Sequence, residues 1–223
     1  MNSVWHMTTC CMETSSDPIA VRRHSVRGFS RVVVVVLLAC LIAGGGGRRM
    51  VAQEYVQQDV LLTERECKLK YAYLYSFSLL MTWPKDAFDA TDSPFVIGVL
   101  GNKPYLELLD KLAETRKTQE RRILIRRFKS PDDYKACHIL YVTDAVSRED
   151  RKAILARTQS DPVLIVGEAE GFEKAGGTMN FYFAGANVRF FLNLDEADRR
   201  GLAANARLSK VATVVRADST AGN

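Results

Sequence analysis

The sequence predicts an α/β protein, a single three-layer domain with a mainly parallel sheet, a C-terminal β-hairpin and flanking helices. Short apolar segments alternate with helical segments between Phe95 and Gly167, and this alternation is typical of right-handed βαβ units in a parallel sheet. Because the apolar segments are continuous, we expect the sheet to be covered on both faces. Beyond Gly167 two strand-like segments follow one another directly, which predicts the hairpin.

The first element of the domain is a long helix. The chain contains no glycine or proline from Glu54 to Trp83, and residues 71–83 are apolar on nearly every side. That pattern is typical of a helix buried on more than one side. Pro84 disfavours helical backbone at the residue before it, so we expect the helix to end at Trp83.

Seven segments then build the parallel part of the sheet. The apolar pattern and the cap residues predict strands and helices in turn. In the first of these helices Leu106, Leu109 and Leu112 share a face that we expect to point into the core. The strands are expected at 95–100, 123–128, 138–142 and 162–167, and the helices at 105–115, 131–135 and 148–158.

The C-terminal part begins with the hairpin, whose strands are expected at 178–183 and 188–192. A last helix is expected over 194–214, with Gly201 as a candidate break. We assign residues 53–217 to the α/β domain and 218–223 to a disordered tail.

Most of the excess positive charge lies before the domain. The chain has a formal net charge of +5, and residues 1–52 alone hold six basic and two acidic residues. Because the remainder is close to neutral, it has no global field with which to attract polyanions. We therefore expect no nucleic-acid partner.

Residues 1–52 have the layout of an N-terminal export signal or membrane-anchor segment. Four arginines precede the apolar run 32–43, and four glycines follow it. The run makes about 18 Å of helix, less than the roughly 30 Å of a bilayer core. Three alternatives stay open: a cleaved signal, a lipoprotein modified at Cys40, where Leu37–Cys40 resembles a lipobox, and an uncleaved anchor lengthened by the glycines. Each places the domain outside the cytoplasm.

Catalytic and metal-binding motifs are missing from the sequence of the domain. His138 is its one histidine, and residues 53–223 contain no G-x-S-x-G, H-E-x-x-H, C-x-x-C or Walker A pattern. We therefore expect no enzyme, no cofactor and no metal. Cys67 precedes the expected helix end by about 24 Å, so we expect no disulfide between Cys67 and Cys137.

Two charged groups allow a functional interpretation. The run 116–129 holds seven basic residues and one acid, and we favour an edge strand protected by charge over a phosphate or lipid-headgroup contact. Asp144 and Glu168 follow the ends of two predicted parallel strands, where open sheets bind ligands. They form a candidate carboxylate pair without an accompanying nucleophile or metal cluster.

A series of short motifs extends in order from Lys68 to Val215. It opens with Tyr71–Phe77 and Thr82-Trp83-Pro84. The remaining pieces are Phe95–Gly101, Cys137–Val142, Pro162–Gly167, Gly171-Phe172, Gly176-Gly177, Asn180-Phe181, Val188-Arg189-Phe190, Asn193-Leu194 and Arg200-Gly201-Leu202. Together, this series resembles the YfiR-like family of exported proteins.

The resemblance implies a periplasmic regulator that is not an enzyme. The best understood members of the family bind the outer-facing sensor domain of an inner-membrane diguanylate cyclase and hold it inactive, and family members dimerise. The resemblance therefore implies a role in cyclic-di-GMP signalling and a homodimer. The sequence departs from the family pattern at Phe191, where an acid is usual, and at 203–205, which replace a more apolar stretch.

The C-terminal half supplies the candidate contact residues. Asn180, Arg189 and Asn193 could orient a polar ligand beside two glycines, so the alternative function is a periplasmic small-ligand binding module. Competing interpretations are core packing for the phenylalanines, an ion pair for Arg189 and a helix N-cap for Asn193. The candidates for partner or ligand contact are Phe172, Gly176, Gly177, Asn180, Arg189, Phe190 and Asn193.

Overall fold

The computed structural model describes the backbone of residues 48–216 and the side chains of residues 61–216. The predicted apolar run, the lipidation candidate Cys40 and the predicted tail lie outside the described residues. Contacts divide the chain into the units 1–53 and 54–223, and the second holds the sheet. Among the described residues, no helix is both long and apolar enough to cross a membrane.

The first helix, α1, spans Arg48–Leu80. The prediction that it extends to Trp83 is wrong, because Met81–Thr82 form a short strand, β1, paired antiparallel with Ala203–Ala204. The N–H of Asn205 donates to the Leu80 carbonyl at 2.9 Å. The end of the helix is therefore fixed by a segment that lies more than a hundred residues away in the chain.

Strands and helices alternate through the parallel part of the sheet, as the sequence predicts. The predicted helix at 131–135 is a single 3₁₀ turn, Pro131–Asp133, with a capping box formed by Ser130 and Asp133. The other elements are β2 (Phe95–Leu100), α2 (Leu106–Thr115), β3 (Lys117–Thr118), β4 (Arg121–Phe128), β5 (Ile139–Val142), α3 (Arg148–Arg157) and β6 (Leu164–Gly167).

The C-terminal hairpin forms as predicted, and the predicted last helix does not. The hairpin strands are β7 (Met179–Ala184) and β8 (Asn187–Asn193), joined by Gly185-Ala186 with a positive φ at Gly185. Helix 194–214 is instead divided into α4 (Leu194–Arg199), β9 (Ala203–Ala204), α5 (Ala206–Val211) and β10 (Thr213–Val215).

Local backbone geometry explains this division of the C-terminal segment. Gly201 has a φ of 69°, and the N–H of Leu202 donates to the Ala197 carbonyl, which closes α4 in the manner of a helix C-cap. Asn205 then caps α5 by accepting from the N–H of Arg207. The short strands gain hydrogen bonds from β1 and β8 that a continuous helix would lack.

The main sheet has eight strands in the order β10-β8-β7-β6-β5-β2-β4-β3. Strands β7, β6, β5, β2 and β4 pair in parallel, and β10 also pairs in parallel with β8. The chain order reverses between β2 and β5, which makes the carboxyl ends of these two strands a topological switch point.

The core occupies both faces of the sheet, which confirms the three-layer prediction. Alternate residues of β2 belong to two different core clusters. Phe95, Ile97 and Val99 pack with residues of α1 and α2. Val96 and Leu100 pack with residues of α3 on the other face. Cys67 belongs to the first cluster and Cys137 to the second. The sheet therefore separates the two thiols, and both are free.

The basic run 116–129 covers β3, β4 and their turns. Strand β4 lies one strand from the sheet edge, and β3 pairs only with its first two residues. Arg121 donates to the carbonyls of Ala90 and Ser93, and Arg127 pairs with Asp110 at 2.5 Å. These contacts support the interpretation of a charged, protected edge.

Candidate functional site at the carboxyl end of the sheet

The switch point of the sheet collects charged side chains from three strand ends. Strands β2 and β5 end level with each other, with Leu100 opposite Val142, and β5 and β6 end with Val142 opposite Gly167. The residues that follow are Gly101-Asn102-Lys103, Thr143-Asp144 and Glu168. Because the strands are parallel, these three loops meet at one edge of the sheet, as the sequence predicts.

Glu168 is the centre of a buried ion network. Its side chain is 3% exposed and accepts from Lys70 at 2.9 Å and from Lys103 at 2.6 Å. The hydroxyl of Tyr141 also donates to it. Lys103 reaches Asp144 at 3.0 Å, so a lysine bridges the two predicted carboxylates. They do not form a pair that shares one proton.

Lys70, Lys103 and Tyr141 are the members of this network that the sequence did not single out. Lys70 lies on the buried side of α1, one residue before buried Tyr71. A lysine within the apolar face of a helix is a signal for a buried partner, since lysine is rarely buried unpaired. Lys103 lies two residues after Gly101, in the loop at the switch point, where a charged residue is a comparable signal.

Burial and neighbouring charges shift the pKa values of three groups in this network. Burial tends to raise the pKa of Asp144, but the ammonium of Lys103 outweighs it, so this pKa lies below its ordinary value. Burial also tends to lower the pKa of Lys103, and the bonds to Glu168 and Asp144 raise it above its ordinary value. Burial and Glu168 together hold the pKa of Tyr141 well above the usual range.

A cleft of about 520 Å³ opens beside the network. Its walls come from α1, from the loop after β6, and from the hairpin strands β7 and β8. The side chain of Phe191, which replaces the acid usual in the family, lines this cleft and stacks on Tyr182 with ring centres 4.3 Å apart. The cleft therefore combines carboxylates with aromatic rings.

Two of the predicted candidates, Gly177 and Phe172, serve the packing of the loop after β6 together with Gly167. A Cβ at Gly167 would lie 2.2 Å from the Phe172 ring, and a Cβ at Gly177 would lie 2.4 Å from it. The ring of Phe172 is thus held between two glycines and is buried in the cluster beside α3. Gly176, with a φ of 111°, lies on a separate shallow depression near Arg199.

The other candidate residues are divided between the core, the cleft and the surface. Phe190 is buried against Phe77 of α1 at 4.9 Å between ring centres. Asn193 caps α4 by accepting from the N–H of Glu196, which confirms the helix-cap interpretation. Arg189 is exposed on β8, and within residues 61–216 no ion pair to it forms. Of the seven candidates, only Asn180 lines the cleft.

A metal site is not indicated by the side chains of the described region. No group of three or more histidine, cysteine, aspartate or glutamate residues with metal-binding geometry occurs within residues 61–216. His138 lies at the opposite end of the strands and is used for packing and backbone hydrogen bonds.

Comparisons with known proteins place this fold in a family. The chain is similar to a solved structure, a conserved domain protein from Vibrio cholerae O1 biovar El Tor, with 13% identity over 54% of each chain and a TM-score of 0.42. The matched region spans about half of that chain. No curated protein matches. The YfiR/HmsC-like family model matches residues 67–213. The chain therefore belongs to the YfiR/HmsC-like family, a family of periplasmic regulators.

Proposed function

We propose that this protein is exported to the periplasm, where it binds and represses the sensor region of a membrane signalling protein. A diguanylate cyclase is the leading partner. The observation that carries the proposal is the family match over residues 67–213, which covers the last part of α1 and nearly the whole sheet. The proposal includes export through residues 1–52, by cleavage, lipidation of Cys40 or anchoring, and a homodimer.

An exposed apolar surface supports protein binding. Leu69 on α1 is 41% exposed, and Phe183 on β7 is 55% exposed. Lys70 Nζ lies 5.3 Å from the centre of the Phe183 ring, so the two exposed residues belong to neighbouring elements. Leu62 lies two helical turns before Leu69 on the same side of α1 and is also exposed. We call Leu62, Leu69 and Phe183 the α1–hairpin surface and propose that it contacts the partner.

Repression follows from a difference in affinity. A regulator that binds the inactive conformation of a sensor more tightly than the active one shifts the sensor toward inactivity. A hundredfold difference in affinity corresponds to about 2.7 kcal/mol, which a few buried apolar side chains can supply. No catalytic step is required.

A second candidate function, a small-ligand binding module, is favoured by one observation. The cleft of about 520 Å³ has the volume of a small-molecule site and combines aromatic walls with polar groups. The two functions are compatible, because the cleft shares Phe183 with the α1–hairpin surface.

Deletion of the protein in its host tests the regulatory function. Removal of a repressor should raise cyclic-di-GMP and attached growth, and expression of the full chain should restore both. A matched strain that also lacks the partner cyclase should show no rise. Unchanged cyclic-di-GMP and attached growth after deletion would reject a diguanylate cyclase as the partner.

A further inference from the structure

The inner end of the cleft contains an amide oxygen without a donor and a carboxylate without a cationic partner among the described residues. Glu173 and Asn180 both line the cleft and are 3% and 2% exposed. The side-chain oxygen of Asn180 is buried without a hydrogen-bond partner. Glu173 accepts from the Asn180 amide, and among the side chains of residues 61–216 no lysine or arginine pairs with it.

The orientation of the Asn180 amide is fixed by its neighbours. Its NH₂ group donates to the Ala169 carbonyl at 2.8 Å and to Glu173 Oε2 at 2.9 Å. A flipped amide would set its oxygen against these two acceptors, so the oxygen must be the unpartnered atom. This atom and the Glu173 carboxylate are both acceptors, and a bound group that satisfies them has to be a donor.

A cationic donor fits the electrostatics of the cleft better than a neutral one. Five carboxylates line it, against the two lysines Lys70 and Lys174. Lys70 is already paired with Glu66 at 2.5 Å and with Glu168 at 2.9 Å, and Lys174 is exposed. The charge left without a partner near the inner end is therefore negative, and an incoming ammonium would form charge-assisted hydrogen bonds there.

The remaining walls of the cleft are aromatic. Phe181, Phe183 and Phe191 line it. The ammonium of Lys70 already lies 5.9 Å and 5.3 Å from the centres of the first two rings, so this side of the cleft accommodates a cation. A ligand with an apolar or aromatic body and one ammonium head would match both parts of the site.

We propose that this cleft binds a small organic ammonium compound, with its head at Glu173 and Asn180 and its apolar body against the hairpin phenylalanines. The proposal rests on the second function above and names its ligand class. Because Phe183 belongs to both the cleft and the α1–hairpin surface, an occupied cleft would alter the surface that we propose for the partner.

Three probes with one ring and different heads test the ligand class on the full chain. Phenethylamine carries an ammonium, phenethyl alcohol a hydroxyl and hydrocinnamate a carboxylate. We expect phenethylamine to raise the melting temperature and to bind in calorimetry, and the other two to do neither. Equal or tighter binding of the alcohol or the carboxylate would overturn the ammonium proposal and leave a small-ligand function in place. Binding of none of the three would overturn the ammonium proposal as well.

A matched pair of variants tests the position of the head group. Glu173→Gln keeps the shape of the side chain and removes its charge. We expect phenethylamine to bind this variant at least about tenfold more weakly than the unaltered chain. Glu114→Gln removes an exposed carboxylate of α2 that does not line the cleft, and it should leave the affinity within about twofold. Equal losses in both variants, or an equal stabilisation by Mg²⁺ or Ca²⁺ that Glu173→Gln abolishes, would overturn the proposal. If Glu173→Gln does not fold, the comparison of the three heads on the unaltered chain still decides it.

Discussion

At the scale of single residues, both ring nitrogens of the buried side chain of His138 form hydrogen bonds within the fold, and its ring stacks on neighbouring aromatic rings. Its Nδ1 accepts from the N–H of Val96 at 2.9 Å, and its Nε2–H donates to the Ala87 carbonyl at 3.0 Å. The ring stacks on Phe88 and Phe95 with centres 4.4 Å and 4.8 Å apart. Because Nδ1 faces a donor, the neutral tautomer with hydrogen on Nε2 is required.

This arrangement predicts a pH-dependent stability. Burial lowers the pKa of His138 below its ordinary value of 6.5, and nearby Arg121 acts in the same direction, although Asp89 and two backbone hydrogen bonds oppose it. The unfolded chain then binds a proton more readily than the folded one as pH falls below 6.5. We expect the free energy of unfolding, measured by urea titration, to fall between pH 7 and about pH 5.

The variant His138→Asn is the matched control for this prediction. His138 is the one histidine after residue 52, so no other domain histidine titrates in this window. The variant should be less stable at pH 7, because it loses ring stacking, and its stability should change less between the two pH values. A pH dependence as steep as that of the unaltered chain would show that His138 is not the responsible group.

Residue chemistry predicted some of these roles and missed others. Asn193 before a run of helix formers was readable as a cap, and it is one. The need for glycine at positions 167 and 177 could not be predicted from the sequence, because it arises from the ring of Phe172, which packs between the two glycines. The unpartnered oxygen of Asn180 and the absence of a cationic partner for Glu173 within residues 61–216 depend on how the loop after β6 packs, and only the folded structure defines that packing.

At the scale of elements, the parallel strands were predictable because their apolar runs are continuous and each is set off by turn residues. The C-terminal segment was not, since β9 and β10 are two- and three-residue strands whose hydrogen-bond partners lie in β1 and β8. Local propensity favours helix in 203–212, and tertiary pairing overrides it at Ala203–Ala204. The same pairing explains why α1 ends before Trp83.

The ion network joins α1 to the end of the sheet and makes a prediction at this scale. Glu168→Gln would remove the shared carboxylate of Lys70 and Lys103, whose side chains are 4% and 8% exposed. Breaking a buried pair by removing one partner typically costs about 3–5 kcal/mol, because a buried charge is left uncompensated. We expect a loss of this order in the free energy of unfolding, measured by urea denaturation.

Glu170→Gln provides the control for the ion network, since it changes an exposed carboxylate of the same loop. Its effect should stay within about 0.5 kcal/mol. A loss below about 1 kcal/mol in Glu168→Gln would contradict the prediction, because it would mean that solvent already screens the two lysines.

At the scale of the whole molecule, the distribution of charge separates two roles of the chain. The excess of basic residues lies in residues 1–52, which fits an export segment, and the domain is nearly neutral. The basic strand β4 lies near one edge of the main sheet. Three strands separate it from β7, which carries Phe183 of the α1–hairpin surface. Fold class and family were predictable from the order of motifs, whereas the location of an exposed apolar surface required the packing of α1 against the hairpin.

Binding to the purified sensor domain of the host's membrane diguanylate cyclase tests the central claim most directly. The unaltered α/β domain of this protein should bind the sensor domain in calorimetry. The double variant Leu69→Ser/Phe183→Ser should bind the sensor domain at least about tenfold more weakly. Leu124→Ser is the control, since Leu124 is 42% exposed on β4, which three strands separate from β7. The affinity of this variant for the sensor domain should be unchanged. We predict that binding lowers the activity of the intact cyclase. Absence of binding by the unaltered domain, or binding that leaves cyclase activity unchanged, would contradict the account.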